Sequence, residues 1–399
     1  MNPEILSCAL GEIDLKYVDE AANYRRARVR RKRRSFVKVF AAAACLVLAV
    51  YAAAQFALEG SPAAPTADPN LPKIELGDNM FDGAGAFNMY APDFSEYLTG
   101  NPWSEDMGLA TLPVYANAVH HASYEQNRVP LNADREAMYA LLDNLIAALG
   151  YDEGGFEVTE SYENTMPGME EGVDYLSSIT AEGDEAYISV GADMVASISF
   201  KTPVELPVDF DSTSPEKCAA AGESVSQLFA NLLGFENPRV AVSGGDVDYN
   251  GGRSYSVCVY DAGEDDTGTV VNYNLQSAEL YPSEDGGLGG ILLYRRDLSQ
   301  KVGDYPLISV DEARELLLNG GELPDTLETL SGDDIVGVEL IYQANEYDEY
   351  FAPYYRFWLR VENESVIEAL DGLAAFTWYY VPAIEPQYIE SYAPQITIN

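Results

Sequence analysis

Apolar and polar positions fall into three regimes along this chain. Residues 1–24 place Leu6, Leu10, Ile13, Tyr17 and Ala21 at helical spacing. Arg25, Arg26, Arg28, Arg30, Arg31, Lys32, Arg33 and Arg34 then form a basic block, and an apolar run follows over residues 36–58. From Val39 to Leu58 there is no Asp, Glu, Lys, Arg, Gly or Pro, and Gln55 is the only clearly polar side chain. A helix of ~20 such residues, rising 1.5 Å each, crosses a ~30 Å hydrocarbon core. The basic block predicts that the N-terminal flank stays cytoplasmic and that the bulk of the chain lies on the far side of a cell membrane. Three other readings stay open. They are a signal peptide cleaved near Ala52 to Ala54, a lipoprotein built on Cys45, and a buried helix of a soluble protein.

Beyond the apolar run, Pro62, Pro65, Pro69 and Pro72 mark an extended linker over residues 59–80. Residues 80–129 are irregular, with a strand expected at Thr111–Ala116. Then a pattern recurs. Asn132 begins a helix whose apolar face is Met138, Leu141, Leu142, Leu145 and Leu149, and Gly150 ends it. Ser214-Pro215 begins a second, faced by Cys218, Ala221, Val225, Leu228 and Leu232 and stopped by Gly234. Ser309 and Glu312 form a capping box for a third, with Ala313, Leu316 and Leu317 inward and Gly320 at its end.

Strand-like runs follow each helix. The first group is 156–162, 175–180, 186–190 and 195–200. The second is 239–242, 255–260, 270–275 and 291–295, and the third is 335–342, 354–361 and 374–381. The expected fold class is therefore α+β, with a single N-terminal transmembrane helix followed by about three helix-on-antiparallel-sheet modules. The expected divisions are a cytoplasmic basic tail (1–35), the span (36–58), the linker (59–80) and three outer modules (81–205, 206–305 and 306–399).

Composition sharpens this picture. The 399 residues carry a formal charge of −42, and its distribution is uneven. Residues 1–38 hold ten of the 23 basic and five of the 65 acidic residues, leaving a net of −47 on the remainder. That field repels nucleic acid, so nucleic-acid binding is excluded for the C-terminal bulk. With 28 Tyr and 14 Phe, the chain can bury real cores despite its charge. Of four cysteines only Cys218 and Cys258 lie beyond the apolar run, so they form one pair at most or two buried thiols.

Candidate chemistry is sparse. Asp246-Val-Asp248-Tyr-Asn250-Gly251 resembles the start of a calcium loop, but Val257 stands at the twelfth position where a bidentate acid is needed. Asn250-Gly251 between strands is also a type I′ hairpin turn, and that reading is preferred. The acidic clusters Glu264-Asp265-Asp266, Asp333-Asp334 and Glu346 to Glu349 read as solvated surface. His120-His121 lack any third histidine or HExxH pattern. The Gly286 to Gly290 run follows acidic residues, which suits a hairpin better than phosphate. No catalytic, cofactor or metal residue is therefore assigned. An aromatic strand pair near the C-terminus offers the one ligand-groove candidate, made of Tyr355, Arg356, Trp358, Arg360 and Trp378. Cross-strand aromatic pairs that close a sheet are the plainer reading.

Two stretches carry a resemblance. Ala9-Leu-Gly-Glu-Ile-Asp-Leu-Lys-Tyr-Val-Asp-Glu-Ala21, with the basic block and alanine-rich run, resembles the N-terminus of single-pass Gram-positive proteins, some of them anti-sigma-factor-like. Gly303-Asp-Tyr-Pro-Leu-Ile-Ser-Val-Asp-Glu-Ala313, continuing to Tyr355-Arg356-Phe357, resembles PepSY-like modules, similar to those of cell-wall kinase regulators. The resemblance implies a membrane-anchored, extracytoplasmic, non-enzymatic sensory or regulatory protein that needs no cofactor. Residues 1–24 would dock a membrane or cytoplasmic regulator beside the lipid bilayer. An envelope-binding or structural module without a signalling role is the alternative, and an envelope hydrolase is a lesser one.

Overall fold

The computed structural model describes residues 70–77, 89–119, 133–163, 174–248, 250–319, 330–344, 348–361 and 372–393. Three short strands open this part of the chain: β1 (Ile74–Gly77), β2 (Met89–Ala91) and β3 (Thr111–Ala116). Helix α1 (Arg135–Ala148) follows, capped by the Asp134 carboxylate, which accepts from the Ala137 N–H at 3.0 Å. Its buried stripe is Met138, Leu142, Leu145 and Ile146.

Next come β4 (Phe156–Glu163), β5 (Tyr175–Gly183), β6 (Ala186–Gly191) and β7 (Val195–Val204), an antiparallel run. Ser214 caps α2 (Pro215–Leu228) with proline in the first turn. The chain breaks at Phe229 before the short α3 (Ala230–Leu233), and Gly234 ends it in the left-handed region at φ +62. That break leaves Leu228, expected on the buried face, 57% exposed.

A second antiparallel set follows: β8 (Pro238–Val247), β9 (Arg253–Asp261), β10 (Ser277–Pro282) and β11 (Leu288–Tyr294). Residues 270–275, expected as a strand, instead belong to helix α4 (Asp266–Leu275) between β9 and β10. The Asp265 carboxylate starts that helix by accepting from the Gly268 N–H at 2.7 Å, so one acidic cluster is a helix cap. The two sets merge because β7 pairs with β11, giving one eight-stranded sheet in the order β4-β5-β6-β7-β11-β10-β9-β8. Helices α1 and α2 cover one face of it, where Leu142, Val225, Ile188, Val257 and Val259 share a core.

The rest of the described chain builds around β14 (Tyr350–Val361). It pairs with β13 (Ile335–Gln343), with β15 (Ala374–Pro382) and, at its start, with β3. Strand β12 (Lys301–Pro306) extends the sheet beyond β3, and β2 extends it beyond β15. Helix α5 (Val310–Asn319) packs on this sheet through Val310, Ala313 and Leu317, with Leu316 left 43% exposed. Strand β16 (Ile389–Ala393) pairs in parallel with β1, which lies within the stretch expected to be linker.

The fold expectation is corrected accordingly. Among the described residues the protein is mostly β, with sixteen strands in three sheets and five α-helices, rather than three separate helix-on-sheet modules behind a membrane helix. The pattern of residues marks most of the strands, but edge pairing such as β7 to β11 and β14 to β3 decides how many sheets they make.

The single-pass architecture and the cell-membrane, extracytoplasmic placement built on it are also corrected. No helix among the described residues is long and apolar enough to cross a membrane. The longest, α1 and α2, have 14 residues, about 21 Å of helix against a ~30 Å hydrocarbon core. Residues 1–24, the basic block from Arg25 to Arg34, the 36–58 run and Cys45 all lie outside the described residues.

Cys218 and Cys258 are both free. Cys218 sits in the core between α2 and the sheet, whereas Cys258 points to the opposite face from its neighbours Val257 and Val259. Desolvation pushes the Cys258 thiol up to about 12, and Glu279 adds to the shift. Iodoacetamide mapping of the native protein between pH 7 and 9 is expected to leave the Cys218 and Cys258 peptides unlabelled, because Cys218 is buried from the reagent and the Cys258 thiol stays protonated in that range. Prior denaturation should label both. Fast native labelling of Cys258 would contradict its placement.

Helix α4 supplies a second prediction. Leu275 is fully buried between the two large sheets' helices and strands, so Leu275→Ala is expected to cost about 2–5 kcal/mol in chemical denaturation. A cost below about 1 kcal/mol would show that α4 does not anchor the second core.

Candidate functional site

The aromatic strand pair places the five sequence candidates on two different faces. Trp358 on β14 stands directly across from Trp378 on β15, with their ring centroids 5.3 Å apart and their planes at 63°. The Arg356 guanidinium lies 5.0 Å from the Trp358 ring. Tyr355 points the other way, into the core beneath α5. Arg360 is exposed at the far end of the strand. Arg356, Trp358 and Trp378 therefore come together, but Tyr355 is separated from them by the sheet.

The Arg356 side is closed rather than open. Glu339 on β13 is paired in register with Arg356 and is 4% exposed. Its Oε2 accepts from Arg356 Nε at 2.9 Å and from Trp358 Nε1 at 2.6 Å, and it lies 2.7 Å from the second guanidinium nitrogen. Burial lowers the Arg356 pKa, but the Glu339 charge and hydrogen bond more than offset this, and the guanidinium ends above its ordinary value. Phe94 and Tyr97, from the turn after β2, stack over Trp358 at 5.5 and 5.3 Å. This is a packed ion pair under an aromatic lid, with no room for a ligand between them.

The Tyr355 side opens into a cleft of about 430 Å³. Tyr355 forms its back, with the hydroxyl donating to the Ile308 carbonyl at 2.8 Å. Trp103 forms a side wall, its ring centroid 5.9 Å from that of Tyr355. Leu109, Leu307 and Val310 complete the apolar lining.

Each wall is held by local chemistry. Asn101 Oδ1 accepts from the Trp103 N–H at 2.9 Å, while Asn101 Nδ2 donates to the Leu340 carbonyl at 3.1 Å, tying the Trp103 loop to β13. Gly108, at φ +60, ends the 3-10 turn Glu105–Met107 and brings the chain back along the cleft. Ser309 and Glu312 close the start of α5 as a capping box. Glu312 Oε2 accepts from the Ser309 N–H and hydroxyl at 2.8 Å each, and Ser309 Oγ accepts from the Glu312 N–H at 3.2 Å. These bonds, the backbone one foremost, hold the Glu312 pKa below the ordinary carboxylate value. Glu105 and Glu312 flank the mouth, and both are exposed. Tyr355 is pushed up to about 12, by desolvation first and then by the Glu105 and Glu312 charges.

Trp103 escaped the sequence reading. It lies in the irregular stretch 80–129, where no period marks it. The available signal was a large aromatic in a loop between Asn101-Pro102 and Gly108, a place where tryptophan needs a partner to pack on.

The other candidates resolve into structure. Asp248 Oδ1 accepts from the Asn250 and Gly252 N–H groups at 2.8 Å each, so the calcium-like motif forms the β8–β9 turn, with Gly251 at φ +80. Gly286 to Gly290 forms the β10–β11 turn and the start of β11. Asp334 caps a short turn by accepting from the Ser331 N–H at 2.8 Å. Asp348 is buried, and its carbonyl accepts from Asn117 Nδ2 at 2.9 Å. His120-His121 and residues 345–347 lie outside the described residues.

No family model matches the chain, and no curated protein matches it. A crystal structure of an uncharacterized protein from Eubacterium rectale ATCC 33656 is similar over 72% of this chain and 86% of that one, at 12% identity and a TM-score of 0.36. A likeness of that size carries no argument about fold or function.

The Glu339–Arg356 pair yields its own prediction. Glu339→Ala leaves the guanidinium without its carboxylate and should cost about 3–5 kcal/mol. The double variant Glu339→Leu, Arg356→Leu should recover most of that loss. If the single and double variants are equally destabilised in urea melts, the pair is not what holds β13 to β14.

Proposed function

We propose that this chain is a non-enzymatic binding protein of a sensory or regulatory kind, and that the cleft between Trp103 and Tyr355 is its ligand site. The observation that carries this reading is the cleft itself, two aromatic rings and a few aliphatic side chains with carboxylates at the mouth, held by Asn101 and the α5 capping box. Concave, largely apolar sites with a few fixed polar groups are where proteins hold small ligands and peptide side chains.

The polar chemistry at the cleft favours binding over catalysis. The Tyr355 hydroxyl is committed to a carbonyl and pushed up to about 12, far from a working acid or base near neutrality. Glu312 is committed to its own helix end and kept ionised. Residues 1–24, with their helical apolar stripe, are the segment proposed to pass binding to a regulator.

Titration of the full chain with a panel of short peptides and oligosaccharides tests the reading, observed through the methyl resonances of Leu109, Leu307 and Ile308. Shifts confined to these residues, and lost in Trp103→Ala, are the expected result. Shifts that persist unchanged in Trp103→Ala, or no shift with any member of the panel, would overturn it.

A further inference from the structure

Resting on that reading of the cleft, we infer that its occupant is a peptide segment presenting an arginine side chain next to an apolar residue. Charge and hydrogen-bond supply together decide this. The lining holds two carboxylates, Glu105 and Glu312, and no lysine or arginine. Residues 39–399 as a whole carry a net of −47, so no distant excess of positive charge reverses the local sign. Anionic ligands are repelled from such a mouth, and cationic ones are drawn to it.

A neutral sugar would need free donors and acceptors along the walls. The hydroxyls present are already used. Tyr355 donates to Ile308, and Ser309 both donates to and accepts from Glu312. Among the lining side chains, what remains is aromatic surface with the Trp103 indole N–H, aliphatic surface and carboxylate oxygen. That combination suits a side chain with an apolar stem and a flat cationic head. A guanidinium stacks on an indole face and offers several N–H groups to a nearby carboxylate, which a compact ammonium does less well.

Within the cleft, Trp103 receives the guanidinium plane and Glu105 receives its N–H groups, because the exposed Glu105 carboxylate has no hydrogen bond or ion pair among the described residues. Glu312, fixed by Ser309, contributes field rather than contact. Leu109 and Leu307 take the neighbouring apolar side chain. The start of α5 does not attract an anion here, since the capping box takes up the Ser309 and Glu312 N–H groups and places the Glu312 charge at that end.

The test uses the full chain and three acetylated, amidated tripeptides: leucine-arginine-phenylalanine, the same peptide with citrulline replacing arginine, and the same with glutamate. Citrulline keeps the shape and removes the charge. The arginine peptide is expected to bind with chemical shifts at Leu109 and Leu307, and the citrulline peptide about tenfold more weakly. Glu105→Gln should weaken the arginine peptide several-fold and leave the citrulline peptide unchanged. Raising salt from ~0.05 to ~0.5 M should weaken only the arginine peptide.

Equal affinity for arginine and citrulline peptides, with loss of both in Trp103→Ala, would overturn the cationic assignment and leave the cleft as the site. Binding by the arginine peptide that Trp103→Ala does not alter would overturn the cleft itself. Glu105→Gln changes an exposed side chain, so its result does not depend on whether Trp103→Ala folds well.

Discussion

The fold depends on helix α4 crossing from one sheet's connectivity into the other sheet's core. By sequence it is the link between β9 and β10 of the eight-stranded sheet. By packing, Val270, Val271 and Leu275 lie among Leu340, Tyr342, Phe351 and Phe357 of the second sheet. Burying such residues is worth roughly 1.5–3 kcal/mol each. The two sheets are thus parts of one assembly, which backbone and side-chain bonds reinforce. Tyr342 N–H donates to Asn274 Oδ1 at 3.1 Å. Arg296 ties Asp193, at 2.8 Å, to the Ala344 carbonyl at 3.2 Å. A second strap runs after β2, where Leu98 and Gly244 exchange backbone hydrogen bonds at 2.8 and 2.9 Å and Glu96 meets Arg253 at 2.6 Å. Gly244 has φ +110, and a Cβ there would stand 2.5 Å from the Ser254 carbonyl oxygen, so the strap requires glycine at that point.

With both sheets locked, β14 separates two kinds of environment. One face carries the Glu339–Arg356–Trp358 cluster under Phe94 and Tyr97, a polar core whose charges are paired and shielded. The other carries Tyr355 at the boundary between the α5 core and the cleft. A strand with polar and aromatic residues on one face and apolar and aromatic residues on the other resembles a binding surface in sequence. In space, one half of it is needed to hold β13, β14 and β15 together, and only the other half reaches solvent beside Trp103.

Local rules were legible and pairing was not. Ser214-Pro215, the Ser309–Glu312 box and the stops at Gly150 and Gly234 act through side chains a few residues away, and each stands where its residues put it. The 111–116 strand and most later strands were readable for the same reason. Helix α4 was missed because Val270-Val271 followed by Asn-Tyr has strand-like propensity. What overrides it is the Asp265 cap together with a core supplied by residues far along the chain. Strand β12 was missed because Gly303 and Pro306 obscure its alternation, yet it pairs with β3 nearly two hundred residues earlier. The module picture failed at the same point, since no local signal says that β7 lies beside β11.

The cleft illustrates the limit most directly. Tyr355 was singled out as one of a set, for its place in an aromatic strand, but the residue that turns it into a wall is Trp103, in a loop without periodicity. Neither ring alone implies a site. They meet because Asn101 bridges the loop to β13 while β13 pairs with β14, so the geometry of the cleft is a consequence of sheet order. The acidic character of its mouth has a different origin. Glu312 is there to cap α5, whereas Glu105 begins a 3-10 turn in which its carboxylate takes no part. Their convergence beside two aromatic rings gives the cleft a sign as well as a shape. A site with shape alone would accept many apolar side chains, whereas a negative field at its mouth favours those that carry positive charge.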